Sequence, residues 1–312
     1  MSRRTTCWIS LFVLALPLVL VPAASAQFVG RFASNVPGAR GLAVDAAGRL
    51  YVSQRAQTSR IERCTPPDTT MSLFATGVVD PIDMVFDDAG NLFVADFDNG
   101  STGGWVVKIT PGGQSSIFAT IHNPGAITRD AAGNLYVGEY FNLKIDKIAP
   151  DGTVSTLVSG IGGPGNVTNR LTMLYMDTDG TLYVGMLGLG GTIYKIAPGT
   201  TTPVAFTSIG SCVGFTRGPD GNFYASSYDF DEIWQINPVT GSATLYAGQH
   251  GSNGLVLAAG TAARLYQPSG MVSLGGTLYT AELTNHDIRS IDIGAPSPAR
   301  AGSWGRLKRL YR

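Results

Sequence analysis

Charge is scarce in this chain: 14% of its 312 residues are Asp, Glu, Lys or Arg, and histidine occurs three times. The scarcity argues against a disordered, solvated polymer, which needs high charge and few apolar residues. Cysteine is nearly absent too, at three residues, so a small disulfide-stapled scaffold is excluded. No G-x-S-x-G, H-E-x-x-H or paired C-x-x-C occurs, and "GMLGLGGT" (185–192) lacks the spacing of a phosphate-binding loop. The one long apolar run, Trp8 to Val21, has 14 residues, short of the roughly 20 that a membrane span requires.

That run has another meaning. Arg3 and Arg4 precede it, Pro17 interrupts it, and "ASA" closes it before Gln27. A basic start, a short apolar core and a small-residue exit make a secretory leader. Residues 1–26 are therefore expected to be cleaved near Ala26 and Gln27, leaving a secreted, periplasmic or cell-surface protein. Export favours disulfides, yet Cys64 and Cys212 fall on different strands of different repeats and are expected to stay free and buried.

What the chain has in plenty is glycine, 40 residues, with 17 prolines and many β-branched and aromatic residues. The glycines punctuate a repeat. "DAAGRLYVSQ", "DDAGNLFVAD", "DAAGNLYVGE", "DTDGTLYVGM", "GPDGNFYASS" and "SLGGTLYTAE" align on Tyr51, Phe93, Tyr136, Tyr183, Tyr224 and Tyr279. A period in the low forties with four short strands per unit indicates propeller blades. In the third unit these strands are "GAITRD" (A), "NLYVGEY" (B), "KIDKIAP" (C) and "TVSTLVSG" (D), the last two joined by an Asp-Gly hairpin turn. The sixth unit ends at Gly294 without a fourth strand, whereas "QFVGRFAS" at the other end of the mature chain is a fourth strand without a unit. The fold class is all-β: a six-bladed β-propeller of four-stranded antiparallel blades over 27–294, its last blade closed by the N-terminal strand.

The stretch "GTAARLYQPSGMVSLGGTLYTAELTNHDIRSID" (260–292) resembles an NHL repeat, and the other units fit that repeat more loosely. "GNLYVGEYFNLKIDKIAPDG" is similar to the repeat of streptogramin lyases. Gluconolactonase-like propellers share the shape, and that resemblance implies a divalent metal at the channel mouth, with an Asp directly after a Pro. Here Ile82 follows Pro81 and Asp83 stands one place later, so the pattern breaks at the ligand itself.

Several residues are candidates. The position three after each aromatic is Gln54, Asp96, Glu139, Met186, Ser227 and Glu282. Either Asp96, Glu139 and Glu282 converge at the channel mouth to hold Ca²⁺ or Mg²⁺, or each caps the turn after strand B. The Asp of D-x-x-G (Asp45, Asp87, Asp130 and Asp177) reads as a turn former. His122, His250 and His286 all fall in loops that emerge on one face, as a general base would, but His286 belongs to the repeat signature. Two long loops, 160–172 and 249–269, open on that same face. Arg170 offers a fork for an anion or simply a solvated charge. Arg170, Asp83 and His250 are the expected ligand contacts, and 249–269 is expected to include a short helical turn.

Charge is uneven along the chain. The last 18 residues carry five basic side chains and no acid, and the body 27–294 keeps 15 basic against 22 acidic residues. An acidic body disfavours nucleic acid as a partner. The tail 295–312, a Pro/Ala linker and a basic amphipathic segment, suits a membrane-surface or sorting contact, or a disordered end. The leading expectation is a monomeric binding scaffold for a protein, glycan or small molecule on the loop face. The competing one is a metal-dependent lactonase or lyase.

Overall fold

A computed structural model describes residues 27–55, 59–97, 103–162, 169–188 and 190–294. The expected leader (1–26), the basic tail (295–312) and much of the loop 160–172 lie outside these residues. The described chain forms six antiparallel sheets, with one single-turn helix at Gly260–Ala262 inside the long loop before the sixth blade. No helix among the described residues is long and apolar enough to cross a membrane.

Five blades are continuous in sequence, at 39–75, 81–120, 124–158, 170–208 and 212–248. The sixth joins Pro268–Leu274, Thr277–Glu282 and Asp287–Asp292 to Phe28–Ala33, which pairs antiparallel with the third of these, Val29 opposite Ile291. The ring is therefore closed by the N-terminal strand, as the missing strand predicts. The same face of the seam is tied by His286, whose carbonyl accepts from Val36 N (2.8 Å) and whose Nδ1 accepts from Gly38 N (3.3 Å). A feature not legible in the sequence is a two-residue strand, Ala258–Ala259, that extends this sheet beyond Phe28 and Val29.

The repeat signature has a local cause. Asp45 accepts from the backbone N–H of Ala47 and Arg49, and its second oxygen accepts the Tyr51 hydroxyl at 3.1 Å. Asp130 does the same with Ala132, Asn134 and Tyr136. The carboxylate thus holds the A–B turn and anchors the aromatic of the next strand, while Gly48 and Gly133 take the positive φ that the turn needs. The side chains of strand B alternate between two neighbours. Tyr51 packs toward the second blade, and Leu50 and Val52 pack toward the sixth. Each of the six blade interfaces carries its own cluster of buried apolar residues. Cys64 and Cys212 belong to two different clusters and are free.

The inner strands, Ala39–Val44, Pro81–Phe86, Pro124–Arg129, Arg170–Met176, Cys212–Arg217 and Pro268–Leu274, stand side by side around the channel. Each carries a β-bulge near its start, and in the first two blades the bulged residues, Arg40 and Ile82, line the channel mouth. Just after the bulge the strands nearly touch. A Cβ on Gly214 would lie 2.1 Å from the carbonyl oxygen of Ser269 and 2.8 Å from Ser226 Oγ. Gly214→Ala should therefore cost about 2–4 kcal/mol, read as a lower urea midpoint at unchanged slope. An unchanged midpoint would mean that the blades are not in contact there.

Candidate functional site

The alternation that builds the blades also sorts the ends of the B strands. Glu139 ends strand B of the third blade, and its side chain turns into the blade edge, where it is buried. Lys144 Nζ bridges Glu139 Oε1 (2.8 Å) and Asp146 Oδ2 (3.1 Å), and Asn142 donates to Glu139 Oε2. Burial pushes the Glu139 carboxyl up, but the Lys144 and Asn142 donors outweigh it and hold the pKa below the ordinary value. Variations on this cluster recur. In the first blade Gln54 and Arg60 both donate to Glu62, Arg60 at 2.8 Å. In the sixth, Glu282 accepts from Tyr266 N, Asn285 and the fully buried Arg289. Asp96 accepts from Val79 N and Asp80 N, at the loop leading into its own blade.

The structure does not bring Asp96, Glu139 and Glu282 together. Each is taken up by donors within its own blade, and among the described residues no three His, Cys, Asp or Glu side chains cluster as a metal ion would need. The donor set therefore does not fit a shared Ca²⁺ or Mg²⁺ ion. The histidines have separate partners too. His122 approaches Asn142 (3.4 Å), His286 ties the seam, and His250 lies against Phe230 (4.4 Å) with Nδ1 3.8 Å from Glu232 Oε1. His250 does not line the mouth cavity.

The side chains that do reach the mouth come from the next residue of the same strands, where the pleat reverses direction. Arg55, Phe97 and Tyr140, each one place beyond the B-strand end, line a cavity of about 170 Å³ together with Arg40, Ile82 and Phe141. Their backbones are pinned alike: the N–H groups of Arg55, Phe97, Tyr140 and Tyr228 donate to the carbonyls of Gly38, Asp80, Asn123 and Ser211, in the loops preceding the inner strands. Tyr140 meets Phe97 and Phe141 edge-on and Phe97 meets Phe141 at a tilt, with centroids 4.9–6.0 Å apart. Arg170 covers this aromatic wall, its guanidinium carbon 4.8 Å from the Phe141 centroid, and donates to Asn169 O. Arg55 forks onto Asp80 through two contacts, at 2.8 and 2.6 Å.

Two residues of the inner strands depart from the repeat at this level. Arg40 is the bulged residue of the first blade, where the others have Ile82, Gly125, Thr172, Val213 and Ser269. It is 7% exposed, and its Nε has no hydrogen-bond partner. No carboxylate forms an ion pair with it among the described residues; the Tyr228 ring lies 5.3 Å away, and the Tyr228 side chain hydrogen-bonds to the guanidinium. Burial drags its pKa below the usual arginine range. Asp83 stands where other blades have Gly41, Ala126, Met173, Gly214 and Gly270. It lines the channel, accepts from Met84 N (2.9 Å) and from Ile127 N of the third blade (3.0 Å), and feels the charge of Arg40. None of the three expected ligand contacts lines the mouth cavity itself: Arg170 stacks on Phe141 of its wall, Asp83 lines the channel between the inner strands, and His250 lies by Glu232. Arg40 and the aromatic ring were missed. Arg40 breaks the repeat at a bulge, and that was the signal available.

No protein-family model matches the chain, and no curated protein matches it. Solved structures do. An auxiliary nutrient binding protein from Bacteroides thetaiotaomicron aligns at 14% identity with a TM-score of 0.73, over 85% of this chain and 76% of that one. A streptogramin B lyase aligns at 14% identity and 0.62, over 86% and 98%. A virginiamycin B lyase from Staphylococcus aureus aligns at 16% and 0.61, over 85% and 98%. At such identities the likeness establishes the six-bladed propeller and nothing finer.

Burial raises the Asp83 carboxyl to about 6, against an ordinary value near 4. Between these two values the folded chain holds a proton that the unfolded chain has released, so stability falls as pH rises from about 4 to 6. The loss is at most about 3 kcal/mol. Other buried acids add slopes of their own, of the same sign for Glu282 and Asp287 and of the opposite sign for Glu139, so the comparison with Asp83→Asn isolates its contribution. The variant should show a shallower fall in melting temperature over that window. Parallel profiles would show that Asp83 is not desolvated.

Proposed function

We propose that this chain is an exported binding module, a propeller of the NHL-repeat type that takes up its ligand at the channel mouth on the face bearing its D–A and B–C loops. The observation that carries the reading is the mouth cavity: three aromatic rings on a rigid frame, with buried Arg40 beside them. Pockets that set aromatic walls beside a few placed polar groups are where ligands bind. The cavity suits a small molecule, or one side-chain-sized group of a protein or glycan. Export rests on the leader pattern of residues 1–26. The nutrient-binding name of a structural relative fits the reading.

A second reading, a metal-dependent hydrolase or lyase, draws on the lyase structures that align over nearly their whole length. The separate engagement of Asp96, Glu139 and Glu282 counts against a metal held by those residues. One thermal-shift experiment addresses both readings. The chain, stripped with chelator, is melted with a library of small metabolites and, separately, with millimolar Ca²⁺ or Mg²⁺. The binding reading expects hits that raise the melting temperature by mass action and are lost in Phe141→Ala, and no response to either ion. Hits indifferent to Phe141 would remove the mouth from consideration. An ion-dependent rise abolished by Glu139→Ala would establish the metal reading instead.

A further inference from the structure

The six inner strands are stitched to one another by hydrogen bonds at the level of the bulge. Ser53 Oγ donates to Ile82 O, Thr172 Oγ1 to Cys212 O (2.6 Å), Ser226 Oγ to Ser269 O (2.7 Å) and Ser269 Oγ to Arg40 O (3.0 Å). Ile127 N reaches Asp83, and Leu171 N reaches Tyr140 O. In this stitching Arg40 takes part only through its backbone carbonyl. Its guanidinium is buried, forms no ion pair among the described residues, and leaves its Nε without a hydrogen-bond partner there.

A buried charge without a counter-charge is costly, and burial is tolerated where a partner arrives with a ligand. Around Arg40 the other charges are accounted for. Arg55 is neutralised by Asp80, and Arg170 stacks over the Tyr140 and Phe141 rings. Among the described residues, Arg40 is the cavity-lining cation without a salt bridge, and it stands beside aromatic rings. Its fork geometry matches the two oxygens of a carboxylate. An approaching dianion would meet Asp83 nearby with a single cation to compensate it, so a single negative charge is favoured. The rest of the lining is Ile82, Phe97, Tyr140 and Phe141, and the volume, about 170 Å³, is close to that of an engineered cavity of about 150 Å³ that takes one benzene.

We infer that the channel mouth is a site for a small aromatic monocarboxylate, with its carboxylate on Arg40 and its ring against Phe97, Tyr140 and Phe141. This rests on the binding reading above and narrows it to a ligand class. Arg40 is thereby a specificity residue, since a neutral analogue leaves its guanidinium as unpaired as before.

Calorimetric titration of the full chain with 3-phenylpropanoate, 3-phenylpropanamide and butyrate tests the inference. The aromatic acid should bind, with the amide and the ring-less acid weaker by about tenfold or more. Arg40→Met should weaken the aromatic acid by about 30-fold or more and leave the amide where it was. Phe141→Ala, at an exposed position that the fold does not need, should weaken the acid by a few-fold, which keeps the test valid if Arg40→Met were to misfold. An amide that binds as tightly as the acid, an acid insensitive to Arg40, or no binding of the acid at all would each overturn the inference. The broader reading survives those results if neutral library hits still depend on Phe141, and falls with the inference if no ligand does.

Discussion

Everything in this propeller depends on six short strands approaching one another closely around one axis. The approach leaves no room for side chains just beyond the bulge, which is why Gly41, Gly214 and Gly270 sit there, each with a neighbouring backbone atom where a Cβ would go. It also removes water from the strands' polar groups, so each interface supplies a hydrogen bond across the gap. Hydroxyls of Ser53, Thr172, Ser226 and Ser269 do this at four interfaces. The apolar clusters between blades then stack outside this polar ring, and the N-terminal strand closes the last gap.

The same constraint explains where function is free to enter. A frame that is over-determined by backbone contacts tolerates a few residues that work against stability. Asp83 replaces a glycine or another uncharged residue and bridges the second and third blades with a charged acceptor where others use a hydroxyl or a backbone group. Arg40 brings to the mouth a buried guanidinium whose Nε has no hydrogen-bond partner among the described residues. Both lie on adjacent blades at one rim, beside the only part of the mouth ring where aromatic rings Phe97, Tyr140 and Phe141 gather among the described residues.

The blade count, the closing strand and the two free thiols were legible in the sequence because each follows from chain-length periodicity and strand order. Tyr51 and Phe93 mark the register, and strand order alone puts Cys64 and Cys212 apart. The site was legible only in part. Asp83 was visible as a misplaced residue, and Arg170 as a loop cation. Glu139 drew attention because it recurs, and its recurrence turns out to belong to the blade edge, with Lys144 and Asp146. The informative position was one residue further, at Tyr140, Phe97 and Arg55, where the identities differ from blade to blade. A shared frame repeats its structural residues and varies its functional ones, so the eye trained on repetition looks one pleat too early. Arg40 was hidden for a further reason: only the bulge, which pairing reveals and composition does not, turns it toward the channel.

On this reading Arg40 is held in place for a ligand at the expense of the free fold. The most direct test is the urea unfolding of the ligand-free chain against Arg40→Met. Replacing a buried guanidinium that has no ion pair among the described residues with an apolar side chain of similar length should make the free protein more stable, by about 1–4 kcal/mol. A variant less stable than the parent by a comparable amount would contradict the account, because Arg40 would then be a member of the frame and not of a site.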